Sequence, residues 1–158
     1  MECIFVTNIK NLDFNSKIVF YACPNEFSYE KEISGDKSFG SQLCKISRDT
    51  NSILFVRVST DLFGLKSTSL MVYDKGVLMG IFDEINCFNS REISVLDTSV
   101  GRFVILIEAD ILIDGVRNIV KAFDPDYVVV SVKDYLVDNV RAVDFGVTTY
   151  GITDLFLF

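Results

Sequence analysis

Histidine is missing from all 158 residues of this chain. Its absence excludes Ser-His-Asp and Cys-His catalysis and removes the commonest metal ligand. The four cysteines, Cys3, Cys23, Cys44 and Cys87, stand singly, with no C-x-x-C pair. Neither a disulfide framework nor a zinc knuckle is expected, and the chain reads as cytoplasmic. There is no Lys/Arg cluster, and the net charge of −7 argues against nucleic acid or an anionic membrane surface as partner. No apolar run approaches the roughly 20 residues of a membrane span. The opening MECIFVTNIK lacks the basic and apolar regions of a secretory signal. Internal repeats, low-complexity tracts and linkers are also lacking, so residues 1–158 read as a single domain.

Apolar residues, by contrast, make up 49% of the chain, enough for a buried core. The chain is organised around residues 102–123, RFVILIEADILIDGVRNIVKAF. Phe103 to Ile107 is an unbroken apolar run that suits a strand covered on both faces. From Leu112 the period changes, and Leu112, Ile113, Val116, Ile119, Val120 and Phe123 fall on one face of a helix. A second buried run, YVVVSV, follows at 127–132, so the unit reads as strand–helix–strand with parallel pairing. The turn after a strand's carboxyl end is where ligands usually sit in such units. Glu108 and Asp110 occupy that turn, where their plain role is to cap the helix.

Elsewhere, residues 2–7 and 17–22 read as short strands, the second ended by Cys23-Pro24-Asn25 because proline cannot donate to a ladder. A charged loop covers 28–37, and a helix over 38–48 carries Phe39, Leu43 and Ile46 on one side. Residues 52–58 form a strand, and 61–67 connect it to the clearest local signal in the chain. There, strands 68–73 and 77–82 flank Asp74-Lys75-Gly76, a hairpin turn with glycine where positive φ is needed. Residues 93–97 read as another strand. Asp134 caps a helix with Leu136, Val137, Val140 and Val143 on its buried face and Gly146 as its stop, and the closing ITDLFLF reads as a final strand.

Several stretches, taken in this order, resemble the nitrilase superfamily, the carbon–nitrogen hydrolases. The hairpin S-L-M-V-Y-D-K-G-V-L-M-G-I-F-D-E-I is similar to the strand pair before that family's catalytic lysine. V-L-D-T-S-V-G-R-F-V-I-L-I-E, at 95–108, is similar to the stretch leading into its catalytic cysteine, and Asp110 fits the aspartate two residues later. Val130-Ser131 fits the next strand end, Arg141-Ala142 the next helix, and V-F-Y-A-C-P-N-E-F at 19–27 the strand ending in Pro-Glu. The resemblance implies an α/β fold, an αββα sandwich with mixed β-sheets. It is shortened between the first two strands, between Glu84 and Glu108, and beyond the Arg-Ala helix.

The same resemblance implies a glutamate base at position 25, a lysine at 84 and a nucleophilic cysteine at 108. The chain carries Asn25, Glu84 and Glu108 instead. An amide cannot take a thiol proton, and a carboxylate at 84 repels the oxyanion that a lysine stabilises. Glu26, one place along, substitutes for the base only if the turn shifts by a residue. The expectation is therefore a catalytically inactive relative that binds or oligomerises, as a homo-oligomer or with a related subunit, without a cofactor. Glu26, Asp110 and Ser131 are candidate pocket residues. One alternative is a divalent-cation or acid–base site built from Glu84, Glu108 and Asp110. Another is an amidase or nitrilase with relocated catalytic residues, whose thiol would be Cys23 or Cys87.

Overall fold

The computed structural model describes residues 3–9, 17–28, 30–31, 38–83 and 93–158. The chain divides into two compact units, residues 1–81 and 82–158. The first is built on a five-stranded sheet in the order β1-β2-β3-β4-β5, comprising β1 (Cys3–Val6), β2 (Ile18–Ser28), β3 (Ile53–Leu62), β4 (Leu65–Asp74) and β5 (Val77–Phe82). β1, β2 and β3 run parallel, and β4 returns antiparallel to β3. Helix α1 (Ser38–Asp49) crosses from β2 to β3. Its Leu43 is buried, with Phe39 and Ile46 partly so, against Val19, Tyr21, Val56 and Met71 of the sheet. Alternate residues of the central strands, among them Ile18, Phe20, Ile53 and Phe55, are buried on the other face. Each such side chain contributes roughly 1.5–3 kcal/mol. Phe20 and Phe55 stack at 5.0 Å.

Two expectations for this unit need correction. β2 does not end at Cys23-Pro24-Asn25 but continues to Ser28. Four steps along β2, from Ala22 to Glu26, span only two along β3, from Arg57 to Ser59. The three residues bulge out of the ladder, so Pro24 need not donate to it. Residues 61–67 are not a connection either. β3 and β4 run on to Leu62 and Leu65, leaving a two-residue turn at Phe63-Gly64. Both turn residues have positive φ, 49° and 92°, and the Asp61 carboxylate accepts the Gly64 N–H at 2.7 Å. The expected hairpin between β4 and β5 is present, with Lys75 and Gly76 at φ 49° and 91°.

The second unit is a four-stranded sheet in the order β6-β7-β8-β9, comprising β6 (Ser94–Thr98), β7 (Gly101–Ile107), β8 (Tyr127–Ser131) and β9 (Thr148–Ile152). β6 and β7 are antiparallel, and β7, β8 and β9 are parallel, as the strand–helix–strand reading requires. Phe103, Tyr127 and Tyr150 stack in a row across the three parallel strands, at 4.8 and 6.3 Å. Helix α2 (Val116–Ala122) links β7 to β8, and α3 (Val137–Arg141) links β8 to β9.

The helix expected from Leu112 starts later. A 3-10 turn over Glu108–Leu112 follows β7, and α2 begins only at Val116, after Gly115 at φ 72°. Leu112 and Ile119 are consequently exposed, at 53% and 39%, while Ile111, Val116 and Val120 are buried. The final strand also lies earlier than 152–158. After β9 the chain turns at Asp154-Leu155 and folds back, pairing Phe158 with Gly151 through two backbone hydrogen bonds of 2.8 Å. No helix of the described residues is long and apolar enough to cross a membrane.

Candidate functional site

In the second unit the carboxyl ends of two neighbouring parallel strands, β7 and β8, bring Glu108, Asp110 and Ser131 together. β7 ends at Ile107, whose register partner is Ser131 at the end of β8. Glu108 then turns the chain with φ 50°, a left-handed conformation that an L residue with a long side chain rarely adopts. Such a residue costs on the order of 1–3 kcal/mol and persists only where its surroundings fix it. Here they do. The Lys133 backbone N–H donates to Glu108 Oε2 at 3.0 Å, tying the elbow to the chain just past β8. The Ile107 N–H donates to Asp110 Oδ2 at 3.0 Å, and the Ile113 N–H donates to the Asp110 carbonyl at 3.1 Å. Glu108 is 8% exposed, Asp110 1% and Ser131 fully buried.

The two carboxylates therefore brace the end of a strand and the turn after it. Asp110 has the capping role the sequence suggests, at a 3-10 turn instead of an α-helix. No group of three or more His, Cys, Asp or Glu side chains able to hold a metal ion occurs among the described residues. Glu84, the third member of the expected cation set, and Cys87 lie outside the described residues.

Asn25 and Glu26 belong to the first unit, Asn25 on the β2 bulge and Glu26 where pairing with β3 resumes, and both are exposed. Glu26 is held by Lys66, with Nζ and Oε2 3.2 Å apart and both side chains open to solvent. Cys23, also on the bulge, is a half-buried free thiol whose Sγ lies 3.7 Å from the Asn25 carbonyl. Burial first, and then the neighbouring Cys23, push the Tyr21 phenol well above its ordinary value of 10.0.

Two features escape a reading by periodicity. Arg57 is a guanidinium 1% exposed within the apolar run of β3, and the one cue is its position inside SILFVRV. Beside α1 lies a cleft of about 650 Å³, lined by Phe27, Met71, Tyr73, Leu78 and Ile81, with Lys45 and Arg48 from the helix. The helix pattern shows which face of α1 meets the sheet but not that β4 and β5 extend beyond it.

No protein-family model matches the sequence, and no curated protein matches it. Solved structures do. A cysteine-to-alanine mutant of the amidase from Nesterenkonia sp. AN1, in complex with butyramide, is similar with a TM-score of 0.62 at 13% identity, over 87% of this chain and 63% of that one. Another structure of a mutant of that amidase, described as from the nitrilase superfamily, gives 0.59 at 13% identity over 88% and 63%. A carbon–nitrogen hydrolase from Helicobacter pylori G27 gives 0.60 at 10% identity over 87% and 61%. The chain thus has the α/β fold of the nitrilase-superfamily carbon–nitrogen hydrolases, with two mixed sheets. It spans less than two thirds of the length of these proteins.

Proposed function

We propose that this nitrilase-fold chain is catalytically inactive and serves as a binding or oligomerisation module. One observation carries the reading: at the end of β7, where the resemblance expects a nucleophilic thiol, Glu108 stands with its carboxylate accepting the Lys133 N–H. A carboxylate engaged in this way is a poor nucleophile for an amide carbonyl, and the anhydride it would form needs oxyanion support. Asn25, at the position expected for the base, has no basic group to offer. Unpaired thiols at Cys3, Cys23 and Cys44 suit a reducing, cytoplasmic setting.

The test is ammonia release from small aliphatic amides such as butyramide. The expected result is no turnover above buffer. Turnover that disappears in Cys23→Ala or Cys87→Ala would overturn the proposal and establish an amidase with relocated residues. The cation alternative is less favoured, because Glu108 and Asp110 each hold a backbone N–H. Calorimetric titration with Mg²⁺ or Ca²⁺ is expected to give no heat. The partner in this proposal is a second copy or a related subunit, read out by light scattering on a sizing column.

A further inference from the structure

We infer that the cleft beside α1 is a binding site for a small monocarboxylate with an extended apolar chain. The inference goes beyond the reading above, which turns on the end of β7 in the second unit, and it can fail without touching that reading. The residues that line the cleft belong to the first unit. Its volume of about 650 Å³ lies within the roughly 300–1,000 Å³ of sites that hold small molecules.

The sequence of α1 explains why there is space. Gly40, Ser41, Cys44, Lys45, Arg48 and Asp49 recur at helical spacing, so they form one stripe along the helix. It runs beside the stripe of Phe39, Leu43 and Ile46 that packs on the sheet. In its first turns the cleft stripe offers only the small Gly40, Ser41 and Cys44, where a leucine or phenylalanine would fill the gap. The opposite wall is apolar, with Met71 and Tyr73 from β4, Leu78 and Ile81 from β5, and Phe27 from β2. Leu78 is 44% exposed, so part of that wall faces solvent. The two walls are tied together, because the Gly76 N–H in the β4–β5 turn donates to Ser47 Oγ of α1 at 3.1 Å. A ligand therefore meets a cleft already formed, which keeps the ordering cost of binding low.

Charge selects the ligand. Among the described residues, the charged groups that line the cleft are Lys45, Arg48 and Asp49, a net +1 on a chain of net charge −7. Arg48 lies against Gly76, where a Cβ would fall 2.8 Å from the Arg48 Nε. Asp74 and Lys75, in the same turn, offset each other. A guanidinium fork with an ammonium beside it suits a carboxylate, and Asp49 counts against a dianion such as a phosphate monoester. From Gly40 to Asp49 the helix rises about 13 Å, at roughly 1.5 Å per residue. An extended chain advances roughly 1.2 Å per bond, so an acid of about ten carbons matches that length. Its carboxylate meets Arg48 and its tail runs towards Gly40.

Decanoate is the probe, with the full chain, and Cys44 is the reporter, a half-buried free thiol on the cleft wall. Decanoate is expected to slow alkylation of Cys44 by N-ethylmaleimide, followed peptide by peptide in mass spectrometry. Alkylation of Cys23, also half-buried but away from the cleft, should not change. The dissociation constant from the protection curve should lie below about 1 mM. Decanol and decylamine should protect about tenfold less well, because neither offers Arg48 a carboxylate. Lys45→Gln and Arg48→Gln, both at exposed positions, should each weaken decanoate and leave decanol unchanged. Ser41→Trp, also exposed, fills the cleft and should abolish the heat of decanoate binding in calorimetry. Circular dichroism and melting temperature confirm that each variant is folded before its binding is compared.

No protection of Cys44 at about 1 mM decanoate would overturn the site. Equal slowing at Cys23 would mark a general effect on the chain and overturn it too. Equal protection by decanol and decylamine, or decanoate binding indifferent to both charge variants, would overturn the carboxylate as the ligand class.

Discussion

At the residue scale, Glu108 combines an unfavourable backbone with a structural hydrogen bond, and the two can be separated by substitution. Glu108→Ala leaves the partly buried Lys133 N–H without its acceptor, while the backbone stays left-handed. A loss of about 1–3 kcal/mol is expected in denaturant unfolding. Glu108→Gln keeps an acceptor oxygen and should lose less than half of that. Equal losses in the two variants would mean that the charge, not the hydrogen bond, holds the elbow. Gly151 offers a second test of local geometry. A Cβ there would overlap the ring of Phe158, which the Arg141 guanidinium covers from 5.2 Å. Gly151→Ala should therefore cost roughly 1–3 kcal/mol in the wild type, as overpacking does. Much less should be lost in a Phe158→Ala background, where the ring is gone; additive effects would count against the contact.

At the element scale, α2 distinguishes what periodicity can tell from what it cannot. The pattern from Leu112 to Phe123 suggests one continuous helix face, whereas the chain spends residues 108–112 in a 3-10 turn and enters α2 at Val116. That shift swings Leu112 and Ile119 towards solvent and leaves Val116 and Val120 inside. Ile119→Lys should change stability by no more than about 0.5 kcal/mol, as ordinary surface substitutions do. Val120→Ala, at a fully buried site, should cost about 2 kcal/mol through lost contacts and a cavity. The reverse ranking would restore the longer helix. The parallel strands β7 and β8 were legible because Phe103–Ile107 and Val128–Val130 are continuous apolar runs with a helical period between them. The length of β2 was not. Pro24 signals an end to pairing, and only the paired register of Glu26, Phe27 and Ser28 with β3 reveals that the strand resumes beyond a bulge. Similarly, Glu108 and Asp110 were legible in the turn after β7 from strand–helix–strand order, whereas Ser131 entered only through the resemblance. That Glu108 points its carboxylate at the Lys133 N–H depends on a left-handed backbone, which no spacing rule announces.

For the whole molecule, the perturbed titrations of Asp97 and Tyr21 bound stability from opposite sides of neutrality. On the acid side, the Arg102 guanidinium, 2.7 Å from the Asp97 carboxylate, holds that carboxyl below its ordinary 3.8. Its contribution is present above pH 3.8 and is lost as pH falls towards the lower folded value. Because the pair is exposed, it is screened by salt and its share is small. On the alkaline side the sign reverses. Burial, with Cys23 beside it, keeps the Tyr21 phenol protonated in the folded chain, so the unfolded chain releases that proton first as pH rises. Stability is therefore complete below pH 10.0 and declines above it, each further pH unit favouring the unfolded state until the folded phenol itself ionises. Tyr21→Phe removes the group without removing the ring. The variant should lose stability less steeply than the wild type between pH 10 and 11 when melting temperature is followed against pH, and match its slope between pH 6 and 8. Parallel slopes in the alkaline range would show that Tyr21 ionises as freely in the folded chain as in the unfolded one, contrary to its burial in the β2 ladder.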